Sequence, residues 1–211
     1  MAGFRLEIPR AALVITDPQV DFLSPRGLAW RLVGESVERN HTVQNIERLL
    51  QAAKRASMAV AISPHYYYPS AHRWGFGGPL EALMDRVGLP IALDAPEQHG
   101  AALLPAFKPY FLDGRTLVAS AHKAYGPARD DLAKRLRGVG VSQVVLAGMS
   151  ANLCVESHLR ALLESGFEVA VVEDATAAAA LDDGDGYQAA LVNFRYIADA
   201  LWSTDEAVRQ I

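Results

Sequence analysis

The chain has 211 residues, 51% hydrophobic and 21% charged, which is enough apolar material to fill a core and excludes global disorder. Twenty basic against 24 acidic residues leave a net charge of −4, so no overall attraction to nucleic acid or to an anionic membrane is expected. One cysteine, Cys154, excludes an internal disulfide scaffold and favours a reducing compartment, and no run reaches the roughly 18–20 apolar residues of a membrane span.

Arg5, Glu7 and Arg10 interrupt the start where a signal peptide would carry its apolar run, so a cytoplasmic protein is expected. Residues 11–16 (AALVIT) form an apolar run without polar alternation, which suits a strand buried on both faces. Val43, Ile46, Leu50 and Ala53 trace one helical face within 36–56. A second strand is expected at 58–63 (MAVAIS) and a third at 116–120, followed by a helix at 128–137. Residues 143–147 (QVVLA) read as a fourth strand. A helix follows at 152–165, with Gly166 in the position that ends helices. A fifth strand is expected at 167–172, a helix around Tyr187 to Phe194, and a last strand near 196–199. Ser203 and Glu206 have capping-box spacing for a terminal helix.

Strands alternating with helices predict an α/β fold, a three-layer α/β/α arrangement around a central mostly parallel sheet. Residues 64–115 break the rhythm with many aromatics, glycines and prolines. They read as a long loop excursion within one domain spanning 1–211.

In an open parallel sheet, ligands bind beyond the carboxyl ends of the strands. Asp17 follows the first strand, His65 and the tyrosines the second, His122 and Lys123 the third, and Gly148 to Cys154 the fourth. A carboxylate, an amine and a thiol therefore converge from separate loops. Cys154 at a helix start, near Lys123, would be favoured as thiolate and suits nucleophilic catalysis. A lone cysteine is more often a small buried hydrophobe, and His158, one turn on, reads as a packing or surface residue. His65 and His72 are expected to make ordinary hydrogen bonds rather than hold a metal. Asp182, Asp183 and Asp185 lack calcium-loop spacing and read as helix-start residues. No glycine-rich dinucleotide motif and no P-loop occurs.

Three segments together carry a resemblance: ALVITDPQVDFL (12–23), SAHKAYGP (120–127) and LAGMSANLCVESHLRALLESGFEVAVVEDATAA (146–178). In order and spacing they resemble the isochorismatase-like cysteine hydrolases. The resemblance implies a triad of Asp17, Lys123 and Cys154, with Lys123 acting through its charge. It also implies a cis Met149–Ser150 peptide, an oxyanion hole made of the backbone N–H groups of Ser150 and Cys154, and dimers or tetramers. Ser63 stands where the metal-binding nicotinamidase branch carries a carboxylate, so no metal and no other cofactor is expected. Cys154, which isochorismatases acting on vinyl ethers typically lack, tilts the expectation toward hydrolysis of a C–N bond. The substrate would be a small amide, ureido or imide-like molecule, cleaved through a thioester. The alternatives are vinyl-ether hydrolysis and a catalytically silent oligomeric scaffold. Phe22, Tyr66, Trp74, Tyr110 and Tyr125 are the candidate pocket walls.

Overall fold

The computed structural model describes residues 4–69, 78–88, 91–92, 100–127 and 130–211. Its centre is a six-stranded sheet made of β1 (Ala11–Thr16), β2 (Ala59–Ser63), β3 (Leu117–Val118), β4 (Gln143–Met149), β5 (Glu168–Ala177) and β6 (Ala200–Trp202). They lie in the order β6-β5-β4-β1-β2-β3, and every neighbouring pair is parallel. The central strands are apolar because both faces of a parallel sheet are covered. Alternate residues of β1 feed two cores: Leu13 and Ile15 point into one, Ala12 and Val14 into the other.

The main helices are α1 (Trp30–Arg39), α2 (Thr42–Arg55), α3 (Pro79–Val87), α4 (Leu132–Gly138), α5 (Glu156–Glu164), α6 (Gly186–Ile197) and α7 (Thr204–Gln210). Ile46, Leu49 and Leu50 of α2 pack on the first face with Val33 of α1 and Ala207 of α7. Leu136 of α4, Leu159 of α5 and Phe194 of α6 pack on the second. The result is the expected three layers. Among the described residues no helix is long and apolar enough to cross a membrane.

Several boundaries differ from the sequence-based expectation. The helix expected over 36–56 is two, broken beside His41, whose φ is 52°. β5 runs on to Ala177 because β4 continues beside it, pairing Gly148 with Thr176 and Met149 with Ala177. Helix α6 continues to Ile197, its buried Phe194 accepting from the Ala198 N–H at 2.9 Å. The final strand therefore starts at Ala200 rather than near 196. Asp185 caps α6 by accepting from the Tyr187 and Gln188 N–H groups, and Ser203 and Glu206 form the expected capping box.

The strand order sets the location of the site. The chain moves from β1 outward through β2 to β3, then returns to the other side of β1 as β4. The connections after β1 and β4 leave in opposite directions, which opens a crevice at the carboxyl ends of these two strands. There Gly148 has φ 114°, and a Cβ on it would lie 2.2 Å from the Thr16 carbonyl oxygen and 2.6 Å from the Thr16 nitrogen. The close approach of β1 and β4 thus requires glycine. Gly148→Ala should cost about 2–5 kcal/mol, combining overpacking with torsional strain. Gly140→Ala, where φ is 80° with nothing within 4 Å, should cost no more than about 1–2 kcal/mol. Urea unfolding of both variants checks this, and equal losses would mean that strand approach is not the constraint.

Candidate active site

Three elements deliver three side chains to this crevice. Asp17 is the first residue past β1. Its φ of 48° turns the chain, a conformation that Asp tolerates better than most residues. Its N–H is bonded to Ser63 O at 3.0 Å. The end of β1 is tied to β4 by Thr16 Oγ1, which donates to Met149 O at 2.9 Å. Cys154 comes from beyond β4. The Met149–Ser150 peptide is cis, and Ala151–Val155 forms one wide π-type turn, closed by Val155 N–H to Ser150 O at 3.1 Å, before α5 begins. Gln19 grips the backbone of His65 from both sides, donating from Nε2 at 3.0 Å and accepting at Oε1 at 3.2 Å. Asp21 takes Leu28 N–H at 2.9 Å and the Tyr67 hydroxyl at 3.0 Å. Two of the polar residues after β1 therefore order loops around the third.

The structure corrects the cationic member of the triad. The residue against Asp17 is His122, whose Nε2 lies 2.8 Å from Asp17 Oδ1. Lys123 is exposed, its Nζ 5.7 Å from the centroid of the Tyr66 ring. The cause is the bridge between this segment and His65: Tyr66 N–H bonds to His122 O at 2.8 Å and His122 N–H to Pro64 O at 3.0 Å. His122 and Ala124 on that stretch are buried, while Ala121 and Lys123 face out. Asp17, His122 and Cys154 each offer one donor atom within 4.8 Å of the others. Among the described residues this oxygen, nitrogen and sulfur set is also the arrangement that could hold a metal ion.

Burial and charge set the protonation of the trio. Burial works to lower the His122 pKa, but the Asp17 carboxylate outweighs it and lifts the imidazole to about 9. Burial works to raise Asp17, but the His122 charge brings it below the ordinary carboxylate value. Both are therefore ionised at neutral pH. They meet as an ion pair at hydrogen-bonding distance, 2.8 Å from Asp17 Oδ1 to His122 Nε2. Burial, and then the neighbouring Asp17 charge, push the Cys154 thiol well above its usual range, while the backbone amides of Ser150 and Cys154 pull the other way. The expected resting thiolate is thus replaced by a neutral thiol beside a carboxylate.

A second buried group supports the first. His158, read from the sequence as a packing or surface residue, is fully buried and donates from Nδ1 to Cys154 O at 2.6 Å. Its Nε2 lies 2.8 Å from Ser63 Oγ, which also lies 3.1 Å from Asp130 Oδ2. The His158 ring stands edge-on to His122 at 4.7 Å between centroids. Ser63, at the position of a metal-binding carboxylate in the nicotinamidase branch, is here part of a hydrogen-bonded brace behind the imidazolium. The i, i+4 spacing of Cys154 and His158 on one helix was the available signal for it.

A cavity of about 320 Å³ opens onto Cys154. Phe22 lines it, as expected, and so do Asp17, His65, Ser150 and Asn152. Burial keeps the His65 pKa below its usual value. Tyr66, Tyr110 and Tyr125 are not in its wall, which corrects those three assignments. Tyr66 follows the inward-facing His65 and so points the other way. Tyr110 packs against α2, its hydroxyl donating to Glu47 at 3.4 Å. Tyr125 is 62% exposed in a turn, with its hydroxyl at Glu81. Trp74 and His72 lie outside the described residues. The sequence reading missed the opposite wall, Leu32 and Val33 of α1 with Leu80, Leu83, Met84 and Val87 of α3.

The isochorismatase domain model matches residues 11–206. A ureidoacrylate amidohydrolase, RutB, from Variovorax paradoxus (strain S110) is 25% identical over 174 residues, covering 79% of this chain and 68% of its own. Among solved structures, a cysteine hydrolase from Pseudomonas syringae pv. phaseolicola 1448A superposes with a TM-score of 0.80 at 22% identity, covering 98% of this chain and 94% of that one. An N-carbamoylsarcosine amidase from Thermoplasma acidophilum gives a TM-score of 0.66 at 22% identity, covering 93% and 97%. With the family model spanning nearly the whole sheet and both ends of the crevice, this chain belongs to the isochorismatase family of hydrolases.

Proposed function

We propose that this protein is a cysteine amidohydrolase that cleaves a C–N bond of a small amide, ureido or imide-like substrate. The observation that carries the reading is a buried thiol within 4.8 Å of a buried carboxylate, both lining a ligand-sized cavity. The names of two relatives, an amidohydrolase acting on ureidoacrylate and an amidase acting on N-carbamoylsarcosine, support the same bond class.

Asp17 accepts the thiol proton as Sγ attacks the carbonyl carbon. General-base assistance is required because the thiol does not ionise by itself in this environment. The negative charge on the carbonyl oxygen is received by the N–H groups of Ser150 and Cys154. As the tetrahedral adduct collapses, the C–N bond breaks and Asp17 passes its proton to the departing nitrogen, leaving a thioester. Water then gives a proton to Asp17 and attacks the thioester. The second adduct releases the acid, and the sulfur recovers its proton from Asp17. His122 stays protonated throughout and holds Asp17 in place, the part that Lys123 was expected to play. His158, Ser63 and Asp130 keep the His122 ring and the nucleophile turn in position.

Two predictions separate the roles. Asp17→Asn removes the charge that helps raise the Cys154 pKa, so iodoacetamide should alkylate Cys154 at lower pH than in the wild type. Amide hydrolysis should nevertheless fall by about 10²–10⁴-fold, because the base is gone. Cys154→Ala should abolish turnover, and a quenched wild-type reaction should show an acyl adduct on Cys154 by mass spectrometry. A fully active Cys154→Ala would exclude the covalent route.

The second concerns pH. A raised folded-state pKa means that His122 contributes stability below its unfolded value of about 6.5, and loses that contribution as pH rises through about 9. The lowered Asp17 pKa contributes above about 3.9 and is lost on acidification. kcat/KM should therefore be flat through neutrality and fall above about pH 9. His122→Asn should erase the alkaline fall and move the acid limb upward, since Asp17 loses its counter-ion. His122→Lys should restore part of the rate and carry the alkaline limb about one unit higher. An alkaline limb unchanged in His122→Asn would show that another group controls it.

A further inference from the structure

The cavity over Cys154 is lined by two unlike sets of residues. Asp17, Ser150 and Cys154 are the groups that meet the reacting carbonyl under the proposal above. Much of the remaining wall is hydrocarbon, made of Leu32 and Val33 from α1 and Leu80, Leu83, Met84 and Val87 from α3. Helix α3 belongs to the excursion between β2 and β3. Its Met84 and Val87 are buried in the first core, so the wall is braced from behind by the body of the protein.

The charges of the lining point the same way. Among the described residues that line the cavity there is no Lys or Arg. His65, the basic ring in the wall, is held below its usual pKa by burial. The nearest imidazolium, His122, is already engaged with Asp17 at 2.8 Å. A carboxylate on the substrate would lose its water next to the Asp17 charge without gaining a cation from these lining residues. A methylene placed there gains the hydrophobic transfer term instead.

From this juxtaposition we infer that the substrate is an amide whose remaining body is uncharged and apolar, an aliphatic or aryl group rather than a carboxylate-bearing one. The inference rests on the C–N reading only for the bond that reacts; the wall alone carries the choice of body. At about 320 Å³ the cavity is at the small end of ligand pockets, so selectivity should rise by about three- to fourfold in kcat/KM per added methylene until the space is filled.

The test uses aldehydes, which add the Cys154 sulfur to form a thiohemiacetal without any C–N cleavage. 4-Methylpentanal and 4-oxobutanoate have the same heavy-atom skeleton and differ in an isopropyl group against a carboxylate. In the wild-type protein 4-methylpentanal should protect Cys154 from iodoacetamide at a concentration at least tenfold lower than 4-oxobutanoate. Leu83→Arg, on the exposed side of the wall, should narrow or reverse that ratio. Equal or better protection by 4-oxobutanoate, or no protection by millimolar 4-methylpentanal, would overturn the inference. The amide pair 4-methylpentanamide and succinamate then separates the two readings. If the aldehyde preference holds while Cys154-dependent ammonia release is absent from every amide, the C–N reading fails and the apolar class stands.

Discussion

A carboxylate and an imidazole meet at 2.8 Å, almost fully out of water, and the arrangement of the candidate site depends on that pair. Taking two charges out of water is costly, and their attraction offsets the cost only when the geometry is held. The backbone on each side holds that geometry: Asp17 N–H is bonded to Ser63 O, and His122 is bonded through its backbone to Pro64 and Tyr66. What the pair provides is a carboxylate held below its ordinary pKa beside a thiol pushed above its own. Under the proposed mechanism, activation of the thiol is a proton transfer to that carboxylate rather than a property of the cysteine alone.

The rest of the architecture serves that contact. The reversal of strand order places the ends of β1 and β4 side by side, and Gly148 allows them to approach within a distance that no side chain would permit. Behind the pair, His158 links the carbonyl of the nucleophile residue to Ser63 and Asp130 and presses its ring against His122. A movement of the nucleophile turn would have to disturb this brace, which couples the position of the sulfur to that of the cation. Interiors are packed at crystal-like density, so such coupling is strong where every member is buried.

Above this floor the protein is less constrained. The catalytic end is made from strand termini, whereas the opposite wall comes from α1 and from a helix of the long excursion. In this chain that wall is leucine, methionine and valine, drawn from α1 and from the excursion helix α3.

The sequence by itself determined the layers and the edge on which the site lies. An apolar run such as AALVIT has few stable uses other than a strand covered on both faces; Asp17 follows one such run directly and Cys154 comes five residues after another, so both emerge at the same sheet edge. The capping box at Ser203 and the cap at Asp185 were legible for the same reason, being local hydrogen bonds between near neighbours. Only the tertiary structure decided between His122 and Lys123. They are consecutive residues on a segment whose strand is two residues long, and which of them faces inward depends on pairing with His65, more than fifty positions away. The counter-ion, the brace of Ser63, Asp130 and His158, and the apolar wall of α3 share that character. Each is a contact between distant segments whose partners carry no local signal, so residue type and spacing suggested the chemistry while chain-to-chain register set which residues meet at the candidate site.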